Sequence, residues 1–308
     1  MDTKSRSGFI HNVKKHWILL LMVAPAVLYV FLFSYLPMTG MVLAFKKYNY
    51  QDGIFFSAWT GLDNFRFFFV GGKAFTVIRN TVLYNIAFII VGIALEVGIA
   101  IVLNEMQGKR LKKLMQTGIF MPYFVSWVVA ATIIFNIFGF EYGLLNGLLR
   151  GLGMAPANIY MNKGIWPPLM VFLKAWKGTG YGVVIYLAAI TSLDQSMYEA
   201  ANIDGASVWQ KIRMITLPCL SPTIVILFLL ACGSIFRGDF GLFYQVATDP
   251  RVWDVTEIID TYIYRMLMTA PNVGMSAAGG MFQSVICFVF VLAANYTVKK
   301  IDSEYSLF

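Results

Sequence analysis

The chain has 308 residues, 58% of them hydrophobic and only 13% charged, with a formal net charge of +8. Soluble domains carry nearer a quarter charged residues, so the composition argues against a soluble domain and for an integral membrane protein. The basic residues fall in short runs beside apolar stretches instead of forming one patch, which argues against nucleic acid as a partner.

Residues 1–16 form a polar, basic tail. The first apolar stretch, 17–43, has a charge-free centre from Trp17 to Leu36. At ~1.5 Å rise per residue this centre covers roughly 30 Å, the thickness of the hydrocarbon core. No small-residue cleavage site follows it, so it reads as a retained span, with Trp17 and Tyr35 as interfacial anchors and Pro25 as a kink. Further spans are expected at 78–103, 115–138, 167–191, 220–237 and 277–298. The chain then reads as one all-α transmembrane domain over 17–308, with six spans and both termini on the same side.

Lys and Arg decide which side. They cluster in the tail (Lys4, Arg6, Lys14, Lys15), in the 104–113 turn (Lys109, Arg110, Lys112, Lys113), in the 192–218 loop (Lys211, Arg213) and at the end (Lys299, Lys300). Those segments read as cytoplasmic. The outer loops are then 46–74, 139–166 and 238–276, with Lys46, Lys47, Arg66 and Lys73 as exceptions to the rule. Within the last of them Ile258, Ile259, Tyr262, Ile263 and Met266 share a helical face, which predicts an amphipathic helix against the membrane surface or the bundle. Cys219, Cys232 and Cys287 are too scattered for a disulfide framework or a metal site.

The 192–218 loop is the most informative stretch. Ser192 and Asp194 are candidate N-caps for a helix over 195–203, Gly205 suits a left-handed terminus, and Ser207 can cap a second helix with Val208, Ile212 and Ile215 on one face. Glu199 beside Ala200 and Ala201 offers a directional charge next to a surface that a partner can approach closely.

Glu199-Ala200-Ala201, Asp204-Gly205 after two intervening residues, Ile215 after nine more, then Leu217-Pro218 resembles the EAA loop of binding-protein-dependent ABC importer permeases. The likeness runs from the first span to Phe308 and is closest to the MalF-like carbohydrate class, in particular the LplB-type permeases. It is carried also by Leu-Asn-Glu-Met at 103–106, the stretch 116–127, Tyr-Leu-Ala-Ala at 186–189 and Ile-Asp-Thr-Tyr-Ile-Tyr-Arg at 259–265. The resemblance implies a type I ABC importer permease fold in a bacterial inner membrane and a second homologous permease subunit. It also implies two cytoplasmic ATPase subunits seated on the EAA loops and an extracytoplasmic solute-binding protein that delivers a sugar. ATP and magnesium would be bound by those ATPases. This chain agrees that the engine is external, because neither Gly72-Lys73 nor Gly108-Lys109 has the flanks of a phosphate-cradling loop.

For the substrate path, Lys174, Lys177, Gly178 and Tyr181 fall at i, i+3, i+4 and i+7 of the fourth span, a polar or small stripe with Trp176 pointing elsewhere. Charged residues in spans usually face a bundle interior or a cavity. In maltose-type permeases the matching segment lines the sugar site; the glycine and tyrosine are kept, whereas the two lysines depart from the pattern. Phe236, Arg237 and Asp239, at the outer end of the fifth span, fall near another sugar-contacting segment. The competing structural reading has the lysines snorkelling to headgroups and Arg237 pairing with Asp239.

Glu96 lies in the second span, where an interhelical hydrogen bond is the expected role. His11 and His16 read as interfacial. Two rivals remain open. An ion- or proton-coupled secondary transporter would use Glu96 and the lysines, and a membrane-embedded glycan-processing enzyme would need an acid pair drawn from Asp239, Asp249 and Asp254.

Overall fold

Inside a bilayer each backbone N–H must find its acceptor within its own segment, so the apolar stretches are forced into helices. The computed structural model describes residues 14–68, 72–269 and 272–301. The tail before residue 14, with Lys4, Arg6 and His11, and the segment after 301, with Phe308, lie outside the described residues. Two units emerge, residues 1–66 with 272–281, and residues 67–271 with 282–308.

In the first unit, α1 runs Trp17–Phe45, passing through a π turn at Phe31–Tyr35 and tightening to 3-10 geometry after Met38. Its side chains from Trp17 to Thr39 are exposed, as befits a helix whose solvent is lipid. Beyond it a short antiparallel ribbon pairs Lys46 with Trp59 and Lys47 with Ala58. Asn64 fastens it from within, its side-chain amide donating to the carbonyls of Ala44 at 3.0 Å and Lys46 at 2.9 Å.

The second unit is built on α2 (Lys73–Glu105) and α6 (Trp166–Thr191), which pack along their length. Between them and their neighbours lie two apolar cores. One gathers Tyr84, Ile134, Trp166, Met170 and Phe243; the other gathers Val97, Leu103, Tyr186, Ile190 and Leu220. The polar residues of α2 near its start stitch down the segment at 254–257: Asn80 donates to the carbonyls of Asp254 (3.0 Å) and Glu257 (3.1 Å), and Tyr84 to that of Val255 (2.7 Å). The expected amphipathic helix is α10, Ile259–Thr269, and it lies against the bundle, with Ile258 and Ile259 fully buried.

Among the described residues four helices are long and apolar enough to cross a membrane: Trp17–Phe45, Lys73–Glu105, Val208–Cys232 and Val273–Lys300. The stretch read from hydropathy as one straight span at 115–138 is two helices, α3 (Lys109–Phe124) and α4 (Trp127–Phe138), meeting at 100°; taken together they would add a fifth. Ser126 makes the break, its hydroxyl capping α4 by accepting from Val129 N at 3.3 Å. Helix α6 has the length, but Lys174, Lys177 and its glycines interrupt its apolar run. Helix α8 (Val208–Cys232) also differs from the expected 220–237. It begins inside the loop and continues through Pro218 and Pro222, helped by a π turn at Ile212–Thr216, then stops at Cys232. Phe236, Arg237 and Asp239 therefore sit in the turn that follows, not on the helix.

Candidate functional site

Two regions carry the residues singled out by the sequence. The first is the loop between α6 and α8. Helix α7 (Gln195–Ile203) is capped by Asp194, whose carboxylate accepts from Ser196 N at 2.9 Å. That hydrogen bond holds the Asp194 carboxyl below the usual carboxylate range. Ser192 is not a cap; its hydroxyl donates to the Ala189 carbonyl at the end of α6. Gly205 turns the chain with φ +76°, and Ala206 N closes back on the Ala201 carbonyl at 2.9 Å. Ser207 then starts α8 with a full capping box, in which Gln210 reaches back to Ser207 N at 2.7 Å.

Two bonds brace the limbs of this bracket: Lys211 Nζ to Asn202 Oδ1 at 2.8 Å, and Tyr198 to Thr216 at 2.9 Å. Glu199, Ala200, Asp204, Gly205 and Pro218 are exposed, while Ala201, Ile215 and Leu217 are half-buried. Val208 does not join Ile212 and Ile215 on the packed face; it is exposed. Ile203 (87% exposed), Met214 (74%) and Trp209 (69%) stand out into solvent, and sequence reasoning missed them. The available signal was a tryptophan in an otherwise polar elbow, since a bulky apolar group survives there only if something covers it.

The second region lies around Asp239. Lys174 on α6 pairs with it at 2.8 Å, and Trp127, the first residue of α4, donates its indole N–H to the same oxygen at 3.1 Å. The other Asp239 oxygen caps α9 (Phe240–Val246) by accepting from Leu242 N at 3.2 Å. Lys177, one turn on, donates to the Tyr123 carbonyl at 2.8 Å and lies 5.5 Å from the ring centroids of both Tyr123 and Trp127. Tyr181, 51% exposed, stacks on Tyr123 at 5.2 Å, and Gly178 keeps open space where a side chain would stand.

The structure thus brings Lys174, Lys177, Gly178, Tyr181 and Asp239 to one place and adds Tyr123 and Trp127. Phe236 and Arg237 go elsewhere. The Phe236 ring meets Phe290 edge-on, and Arg237 donates to Ser284 at 3.3 Å, so the pairing of Arg237 with Asp239 is replaced by that of Lys174.

Among the described residues Glu96 makes no hydrogen bond, contrary to its expected role. Its carboxyl occupies the room left by Gly182 on α6 and borders a cavity of about 60 Å³ shared with Lys174, Gly178 and Thr179. The three acids offered to a glycan-processing enzyme are each tied to a cation: Asp239 to Lys174, Asp249 to Arg251, Asp254 to Lys163. Hydrogen bonds from Arg251 hold Asp249 down at about 2, and the Lys163 ammonium lowers Asp254, so neither keeps a proton to donate at neutral pH.

Residues 96–303 match the family model described as the binding-protein-dependent transport system inner membrane component. The chain belongs to this family. With its several apolar helices it is therefore a multi-pass membrane permease. It is 35% identical to the protein LplB of Bacillus subtilis over 288 residues, covering 94% of this chain and 90% of the relative. It is 33% identical to the polygalacturonan/rhamnogalacturonan transport system permease YteP of the same organism, over 93% of this chain and 89% of the relative. Among solved structures it resembles a chain of a bacterial alginate ABC transporter, crystallised with an alginate pentasaccharide-bound periplasmic protein. There the TM-score is 0.85 at 30% identity, covering 94% of this chain and 97% of that one. These matches lend no support to an ion-coupled secondary transporter.

Proposed function

We propose that this permease is one of two homologous transmembrane subunits of an ATP-driven importer of type I fold, and that it carries a complex oligosaccharide by alternating access. On this reading it has six spans, with α6 and the bent pair α3–α4 included, and both termini are cytoplasmic. An extracytoplasmic binding protein delivers the sugar, and two cytoplasmic ATPases, which hold ATP and magnesium, dock on the 192–218 bracket of each permease. The observation that carries the reading is the bracket itself: a braced elbow that exposes Glu199 beside uncovered Ile203, Trp209 and Met214. A partner seated there can turn the bracket as a rigid body and pass the shift to α6 and α8, which rise from its two ends.

The path then lies along α6, at Lys174, Lys177, Gly178 and Tyr181, with Tyr123, Trp127 and Asp239 facing them. Aromatic faces suit the C–H face of a pyranose, and ammonium groups suit carboxylates. We infer an acidic, uronate-containing substrate. YteP is named for polygalacturonan and the alginate importer for an acidic polysaccharide, which supports this choice.

Glu199→Lys tests the coupling. The variant is expected to insert normally and pair with its partner permease, yet to lose the ATPase on purification or to lose substrate-stimulated hydrolysis. Wild-type stimulation by that variant would sink the assignment.

A further inference from the structure

A second cluster of cations and aromatics lies at the opposite end of the second unit from the bracket, where α2 begins. Its centre is Glu257, buried with 3% of its side chain exposed, on which two cations converge. Arg265 Nη1 donates to one carboxylate oxygen at 2.9 Å, and Lys73 Nζ lies 3.5 Å from the other. The Arg265 guanidinium sits 3.6 Å from the centroid of the Trp253 ring, which fixes its orientation. Lys73 is 59% exposed and lies over the Tyr262 ring at 5.6 Å. Across from them α9 presents Tyr244, whose ring meets that of Tyr264 edge-on at 5.0 Å.

These groups line a cleft of about 640 Å³, within the size range of small-ligand sites. Its charge is not balanced: two cations face one carboxylate, leaving one positive charge in excess. Its walls are aromatic, and its phenols add hydrogen-bonding groups for hydroxyls. A neutral sugar has no use for the excess charge, and a simple anion has no use for the rings. A uronate residue uses both, since it joins a carboxylate to a pyranose with an apolar face.

We propose that this cleft is an entry subsite for a uronate residue of the oligosaccharide. Lys73 and Arg265 take the carboxylate and Tyr244, Tyr262 and Tyr264 contact the ring before the sugar reaches Lys174. Glu257 is the positioning residue that holds both cations in place. The subsite rests on the acidic-substrate reading above, and the test separates the two.

The complete importer, reconstituted in nanodiscs without its binding protein, is titrated by calorimetry with tetragalacturonate and with its methyl ester, which keeps the backbone and loses the charges. The acid is expected to bind more tightly than the ester, with an advantage that shrinks at high salt. Lys73→Gln should weaken the acid by about threefold, the scale of an exposed ion pair, and leave the ester unchanged. Arg265→Lys keeps the charge and the Glu257 partner but loses the planar fork, and should weaken the acid by about tenfold.

An acid preference that survives undiminished in both variants overturns the subsite while leaving the acidic substrate in place. Equal binding of acid and ester by the unaltered importer overturns both. Variants that lower the affinity for the binding protein, titrated separately onto the same nanodiscs, but not for the saccharide make the cleft a docking face and also overturn the subsite. If Arg265→Lys fails to assemble, Lys73→Gln decides alone, because an exposed lysine contributes little to folding.

Discussion

The bracket at 195–216 and the cluster around Asp239 both interrupt apolar helices with polar chemistry, yet they are assembled in opposite ways. Every bond that shapes the bracket is local, the longest joining Tyr198 to Thr216, 18 residues apart. The cluster is made of bonds across 54, 65 and 112 residues, from Lys177 to Tyr123, Lys174 to Asp239 and Trp127 to Asp239. A locally built element keeps its shape when its neighbours move, so it can transmit a displacement. A cluster drawn from α3, α4, α6 and the α8–α9 turn is remade whenever those elements shift, so it can open and close.

That contrast predicts that single substitutions cost most in the cluster, where one residue serves several elements. Asp239→Ala should have the largest effect. It leaves the half-buried Lys174 without its counter-charge, frees the Trp127 indole and uncaps α9. Breaking a buried pair from one side costs about 3–5 kcal/mol, but Lys174 is 39% exposed. We therefore expect the low end, about 3 kcal/mol, in chemical unfolding of the purified protein. Asp239→Asn, which keeps an oxygen for the cap and the indole, should lose less. Equal stability of the alanine variant and the wild type would mean that the pair does not organise this region.

Gly241→Ala comes next. Its backbone conformation is ordinary, but an added Cβ would stand 2.5 Å from Trp127 Cδ1, so the ring must swing away from Asp239. Overpacking of this kind costs about 1–3 kcal/mol. The same change in a Trp127→Leu background should cost clearly less; an undiminished cost would locate the strain elsewhere.

The same distinction explains what the sequence could reveal. The bracket was legible because Asp194, Gly205 and Ser207 act on their own neighbours: a cap, a left-handed turn and a capping box are written within a few residues. The apolar helices were legible from hydropathy for the same reason. Hydropathy is blind to direction, however, and the stretch from Met121 to Ser126 carries no charge although it turns the chain between α3 and α4. Pro122 and the capping side chain of Ser126 were the local signs of that break. The choice of Lys174 over Arg237 as the partner of Asp239 could not be read at all, because it depends on how α6 packs beside α9. Of the exposed Ile203, Trp209 and Met214 only Trp209 left a local sign, as a tryptophan in a polar elbow, since a pattern of apolar residues does not say which of them the fold leaves uncovered.

On the bracket the constraint is conformational. Gly205 has nothing within 4 Å of an added Cβ, and only its φ of +76° resists substitution. Gly205→Val should therefore cost about 1–2 kcal/mol of local stability, while Gly205→Asn, which tolerates the left-handed region, should cost less. At Gly241 the order disappears, because asparagine brings the same Cβ to Trp127 as alanine does. On the proposed coupling role, substrate-stimulated ATPase activity of the assembled importer gives the readout on the bracket: Gly205→Asn should retain most of it and Gly205→Val should not. Equal loss in both would mean that open space at Gly205, not its backbone, is what the partner requires.

The smallest effect belongs to a local pair at the far end from the bracket, which asks whether reach or location sets the cost. Arg251 grips Asp249 two residues away, with Nη2 at 2.5 Å from Oδ2 and Nε at 2.9 Å from Oδ1. Its hydrogen bonds hold the Asp249 carboxyl down at about 2. A depressed carboxylate stabilises the fold fully above its unfolded value of about 3.9 and loses that contribution as pH falls towards the folded value. The guanidinium is 62% exposed, so solvent screening keeps the whole effect small. Asp249→Asn should thus unfold almost with the wild type at pH 7, and the small difference should shrink below about pH 4 and be gone once pH falls past about 2. A loss at pH 7 as large as that of Asp239→Ala would show that location, rather than the number of elements a residue joins, governs the cost.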